Sequence, residues 1–257
     1  MKSLLNKLSI LATLLMVANF NASAAKVPYY YQIKIYHLKT PAQEAVVDAY
    51  LKNAFIPAAH RAGIQNVGVF KPIAKDTLEQ LIYVFIPFKR MDDFLKLNET
   101  LTKDAQYLQA GSAYLNAAYN EAPYTRIEST LLKAFSAMPG YAVPNLSLPK
   151  SERVYELRSY EAATENLSAN KIGMFNDYEV AIFTKLDFNA VFYGQVISGS
   201  KMPNLMYMTS FNNKADRDKH WAAFGDDYKK ISGLPQYQHN VSKNVTLFLY
   251  PADYSDL

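Results

Sequence analysis

The sequence predicts an α+β fold: two tandem βαββαβ units in one chain, with antiparallel sheets packed face to face around a shared interior. Three observations predict it. Strand and helix signals run in the order β-α-β-β-α-β and then repeat that order. At an offset of 124 residues Tyr31 falls on Tyr155, Lys34 on Arg158, Tyr36 on Tyr160, Val67 on Val191, Leu81 on Leu205, Tyr83 on Tyr207 and Asp92 on Asp216, with no net gap. A four-stranded sheet with both helices on one face also leaves its other face bare, and a second copy covers it.

Tyr29–Leu38 alternates Tyr31, Ile33 and Ile35 with Gln32, Lys34 and Tyr36, the period of a strand. Thr40 reads as an N-cap with Pro41 at the first helical position and Gln43 completing a capping box. The helix behind it carries Val47, Leu51, Ala54 and Ala58 on one stripe, is kinked by Pro57 and stops at Gly63. Gln65–Pro72 and Leu81–Pro87 read as strands joined by a polar loop at Lys75–Glu79. A helix from Met91, a further helical stretch from Asp104 to about Tyr119 and a strand over Tyr124–Ala134 complete the first half.

Phe135–Glu152 holds Pro139, Gly140, Pro144 and Pro149 without periodicity and reads as a connecting arm. The order then restarts. Val154–Tyr160 is a strand, Thr164–Phe183 a helix, and Phe188–Ile197 and Asn204–Phe211 are strands. Asn213 caps a helix bearing Trp221, Phe224, Tyr228 and Ile231, and Lys243–Tyr250 closes the set. The divisions expected are therefore a leader at 1–24, a first repeat at 25–135, a linker at 136–152 and a second repeat at 153–257.

Lys2 and Lys7, the apolar run Leu8–Phe20 and Ala22-Ser23-Ala24 have the pattern of an export signal cleaved after Ala24, so a periplasmic or secreted protein is expected. The apolar run is too short for a permanent span, so no membrane insertion is expected after cleavage. The sequence has no cysteine, which removes disulfides, thiolate nucleophiles and Cys-held metal. Of 27 basic residues, removing the two leader lysines leaves 25 against 23 acidic, a net +2 too balanced for nucleic acid. The 20 Tyr and 14 Phe favour ordinary strand-rich packing, or an amphipathic cavity wall.

The face of the first strand richer in apolar residues (Tyr31, Ile33, Ile35; Tyr155, Leu157, Ser159) suits packing under helices. The other face (Gln32, Lys34, Tyr36; Glu156, Arg158, Tyr160) then points into the interior. Glu156 with Arg158 is either a structural ion pair or part of a pocket. The candidate lining set is Glu156, Arg158, Tyr160, Tyr193 and Tyr207, with His220 and Trp221 nearby. Trp221 reads first as a helix-to-sheet anchor, and His220, the one histidine placed like an axial haem ligand, first as a partly exposed helix residue.

His37, His60, His220 and His239 have no zinc spacing, no G-x-S-x-G occurs, and the Gly194–Lys201 near-miss to a phosphate loop runs into a strand instead of a helix. No cofactor or metal is expected. A small molecule and a second copy of the chain are the expected partners.

VYELRSYE (Val154–Glu161), FNAVFYG (Phe188–Gly194), MPNLMYMTSF (Met202–Phe211) and DRDKHWAAFGDD (Asp216–Asp227) resemble the NIPSNAP family's domain. The resemblance is specific over about Glu152–Asp256 and degenerate over Tyr29–Phe135. It implies tandem ferredoxin-like units arranged as a dimeric-type α/β barrel. Its described members are organelle-associated and vesicle- or mitophagy-linked. The bacterial-type leader departs from that setting, so those roles are not carried over. The wider fold hosts monooxygenases, haem enzymes and binding proteins, and fold alone does not choose among them. The leading expectation is an exported binding protein for a small apolar or aromatic ligand or a protein partner. The alternative is a cofactor-independent monooxygenase or isomerase, with Arg158 holding an enolate and Glu156 moving a proton.

Overall fold

The computed structural model describes residues 27–74 and 79–257. The leader read over 1–24 and most of the Lys75–Glu79 loop lie outside the described residues. The strands are β1 (Tyr30–Leu38), β2 (Gly68–Pro72), β3 (Gln80–Phe88), β4 (Arg126–Ala134), β5 (Val154–Glu161), β6 (Phe192–Ser198), β7 (Asn204–Phe211) and β8 (Lys243–Pro251). They close into one antiparallel barrel in the order β1-β3-β2-β8-β5-β7-β6-β4. Where two facing sheets are expected, the halves instead zip edge to edge, β2 to β8 through Phe70–Pro251 and β4 to β6 through Ala134–Gly194. Closure pairs the backbone groups that two separate sheets would leave open at their edges.

The helical segments repeat at the sequence offset. In the first half α1 (Pro41–Tyr50) passes through a π-helical turn (Leu51–Phe55) into α2 (Ile56–Arg61). In the second, α6 (Glu165–Met174) passes through a π-turn (Phe175–Glu179) into α7 (Val180–Lys185). Thr40 and Thr164 cap them by accepting from the Gln43 and Leu167 amides. Pro57 is not what opens the π-turn, since Ala181 stands at its place in the second half.

Between β3 and β4 lie α3 (Met91–Thr102), α4 (Ala105–Ala110) and α5 (Ser112–Leu115). The single helix expected from Asp104 is broken at Gly111, and Tyr119, placed on its apolar stripe, is 99% exposed. In the second half α8 (Lys214–Ser232) precedes β8. Strand β6 starts later than expected because Asp187 and Asn189 take left-handed φ angles of 51° and 45°.

Tyr31 and Tyr155 occupy matching places: each heads its strand, opposite Leu132 and Leu249. The register does not hold throughout. Ile35 pairs with Tyr83, but Ser159, 124 residues beyond Ile35, pairs with Met206, so along β3 and β7 the offset is 123. A one-residue slip turns a strand's side chains to the opposite face. Tyr83 therefore packs with the barrel interior and Tyr207 with the helices, and their match in sequence is not a match in space.

The facing of the first strands is also the reverse of the expectation. Tyr31, Ile33, Tyr155 and Leu157 join Phe70, Phe85, Phe192 and Leu249 inside the barrel. Tyr36 packs under α1 and α2, and Tyr160 under α6 and its π-turn, in two separate outer layers. An eight-stranded barrel has an interior just wide enough for side chains to fill most of it. The more apolar face goes there, and the charged face meets helices that bring their own partners.

The arm at 136–152 forms no strand or helix and works as a plug. Tyr141 packs against Tyr29 and Phe85, Leu146 is buried among interior residues, and Leu257 at the chain's end joins them. One end of the barrel is thus sealed. Among the described residues no helix is long and apolar enough to cross a membrane.

Candidate functional site

The residues singled out from sequence come together, but outside the barrel, between the sheet and the helix layer of α6, α7 and α8. Glu156 is fully buried, and both of its carboxylate oxygens are engaged. Oε1 accepts from Arg158 Nε at 2.6 Å and Arg217 Nη2 at 2.9 Å, and Oε2 from Arg217 Nε at 2.7 Å and Trp221 Nε1 at 2.8 Å. The Arg158 guanidinium lies 3.8 Å from the centre of the Trp221 ring and donates to the Tyr160 hydroxyl, which bonds Tyr207 at 2.8 Å. Burial pushes the Tyr193 and Tyr207 phenols up, so they stay protonated.

His220 packs edge-on to Phe188 and its Nδ1 sits 2.7 Å from the Asp216 carbonyl oxygen. A carboxylate with four donors has no acceptor site left for a substrate. The cluster is built as a satisfied joint between strand and helix.

A second buried pair joins this layer. Lys171 Nζ donates to Glu179 Oε1 at 2.5 Å, with each side chain 3% exposed. The aromatic rings of Tyr160, Phe175 and Tyr228 surround the amine. Sequence reasoning missed both Arg217 and this pair. Arg217 had a signal: Glu156 needs more than one cation, and Arg217 lies one helical turn before Trp221.

The open end of the barrel is different. A cavity of about 100 Å³ lies between its strands, walled by Ile35, Leu157, Met206 and Leu247 and ringed by polar groups. Ser159 Oγ and the Asn204 amide bond each other at 2.9 Å. Glu161 Oε1 is buried without a hydrogen-bond partner, the nearest charge being Lys243 Nζ at 3.8 Å. Burial, with Glu128 and Glu79 close by, pushes the Tyr83 phenol up to about 12.

On the rim, His37 Nδ1 lies 2.8 Å from Glu79 and its Nε2 3.2 Å from Glu128. His37 and Glu161 are 124 residues apart, so the repeat sets them at corresponding places. The turn carrying Ser200 and Lys201 reaches the cavity because Gly199, at φ 147°, lies against Thr130 where a Cβ would stand 3.1 Å from the hydroxyl.

Two open grooves, of about 620 and 600 Å³, run along the two seams between the halves. They correspond under the repeat: Asp48 and Lys71 line one, Ile172 and Gln195 the other. In the first, Glu44 at 2.8 Å and Asp48 at 2.6 Å already neutralise the Lys71 amine. Neither groove shows the unmet polar atom that marks the barrel mouth.

No curated protein matches the chain significantly. Solved structures do. A protein of Fusobacterium nucleatum described provisionally as a monooxygenase aligns over 88% of this chain and 93% of its own, at 10% identity and a TM-score of 0.57. A chlorite dismutase variant of Candidatus Nitrospira defluvii aligns over 88% and 92% at 8% identity, with a TM-score of 0.47. A NIPSNAP family protein of Agrobacterium tumefaciens aligns over 46% of this chain and 98% of its own at 14% identity, with a TM-score of 0.37. At 10% identity the first of these likenesses speaks for the fold alone. In sequence, residues 155–256, from β5 through β8 and beyond it, match the model of the NIPSNAP family.

Proposed function

We propose that the chain is an exported, NIPSNAP-like binding protein that holds a small, largely apolar molecule in the open mouth of its barrel. One observation carries this reading: a cavity with apolar walls keeps a buried carboxylate oxygen, Glu161 Oε1, without a partner. Such an atom calls for a donor, and a hydroxyl or amine on the guest would supply it. The space is about three waters' worth, so a guest places only a few heavy atoms inside and leaves the remainder at the rim. The two halves are read as duplicated ferredoxin-like units, supported by the matching caps, π-turns and strand orders.

A second reading, proton transfer without a cofactor, is favoured by the same atom, since a carboxylate oxygen with no hydrogen-bond donor beside an apolar wall can act as a base. In that reading Glu161 takes the place expected of Glu156, which is enclosed.

Native mass spectrometry of protein recovered from the cell envelope tests the proposal. A chain beginning at Ala25 with a co-purifying small molecule is expected. The guest should be absent from Ser159→Phe, whose ring fills the cavity while leaving the helix layer untouched. An uncleaved chain would sink the export reading, and a guest that survives Ser159→Phe would sink the site.

A further inference from the structure

Lys34 lies on the outer face of β1, between Val84 of β3 and Ser129 of β4. Its Nζ stands 5.4 Å from the centre of the Phe55 ring and 5.9 Å from that of Tyr36. Among the described residues no hydrogen bond or charge acts on this amine, and burial alone lowers its pKa.

The second half shows what is missing. The position corresponding to Lys34 is Arg158, and the one corresponding to Gln32 is Glu156, which neutralises it. Gln32 carries no charge, and its amide donates to Ser129 Oγ at 2.7 Å instead of meeting the lysine. The first half thus keeps the buried cation position without its counter-charge. Burial without a counter-charge lowers the pKa of this amine and so raises the share that carries a free lone pair. It is also reachable: Lys34 is only partly buried, Ser129 beside it is exposed, and Ile127 and Leu131 on either side of Ser129 are partly open.

We propose that Lys34 is a nucleophilic amine that forms an imine with a small aldehyde or ketone approaching over β4. The Nζ lone pair attacks the carbonyl carbon, and the carbon–oxygen π pair moves to oxygen, which is protonated. The carbinolamine then loses water as nitrogen gives up its protons, leaving C=N with no change in redox state.

The test treats the full chain with dilute acetaldehyde and cyanoborohydride near neutral pH and reads each lysine by peptide mass spectrometry. Lys34 is expected to be alkylated several-fold faster than the exposed Lys52 and Lys229, and its rate to level off at lower pH than theirs. Gln32→Glu restores the counter-charge and is expected to slow Lys34 to the surface rate. Equal rates for Lys34 and Lys52 in the unchanged protein would overturn the inference, as would a Gln32→Glu variant that folds and reacts as fast.

Discussion

Replacing Glu156 with alanine is expected to cost about 3–5 kcal/mol of stability, the usual penalty for breaking a buried ion pair from one side. Among the described residues the carboxylate is the one that bonds Arg158 directly, and it also accepts from Arg217 Nε and Nη2 and from the Trp221 indole. Removing it leaves two guanidinium groups side by side near the Trp221 ring without the carboxylate they share. Against a typical total of about 5–15 kcal/mol, that loss is close to unfolding the domain. Denaturant unfolding with the slope held fixed measures it. Arg158→Met should cost less than Glu156→Ala, because Arg217 and the Trp221 indole still satisfy the carboxylate. Binding at the barrel mouth should survive in every variant that folds.

Lys171→Met is expected to have the next largest effect, again about 3–5 kcal/mol near neutral pH. Burial raises the pKa of Glu179 and Lys171 opposes that rise, so losing the amine raises it further. A carboxyl whose folded pKa exceeds its unfolded value binds protons more readily when folded. Stability of Lys171→Met should therefore fall as pH climbs above the ordinary carboxylate range, and recover in acid. The unchanged protein should show a different edge. Burial works against the Lys171 charge, but Glu179 and Tyr228 outweigh it and its pKa is raised. The stabilisation is present at and below the ordinary lysine value and is lost as pH rises through the higher folded one. A double Lys171→Met, Glu179→Leu variant should regain most of the loss. If thermal melts across pH show no slope for the single variant, Glu179 is not held as the geometry says.

The architecture was largely legible because its signals are local. Thr40 and Thr164 cap as their spacing indicates, and the repeat brings the first strand and helix of each half to starts 124 residues apart. Three things were not local. Tyr83 and Tyr207 align in sequence, but the slip between β3 and β7 depends on how the strands pair, which no single strand encodes. The facing of Glu156 and Arg158 was ambiguous because both faces of a barrel strand are covered, one by the interior and one by helices. Alternation says that two faces differ without saying which is inside. Arg217, in α8, becomes a site residue when its helix packs on the sheet and reaches Glu156, and Glu161, at the end of β5, by standing at the open rim of the closed barrel.

Methionine methyl resonances separate the barrel mouth from the helix layer in one experiment. Met206 lines the cavity, while Met174 lies against Lys171 in the outer layer, its sulfur 3.4 Å from the amine. With methyl-labelled protein, a phenol-sized fragment that raises the melting temperature should be titrated in and both signals followed. The Met206 methyl is expected to move in proportion to occupancy while Met174 stays still. Movement of Met174 with Met206 unchanged would put the guest between sheet and helices and contradict a site inside the barrel.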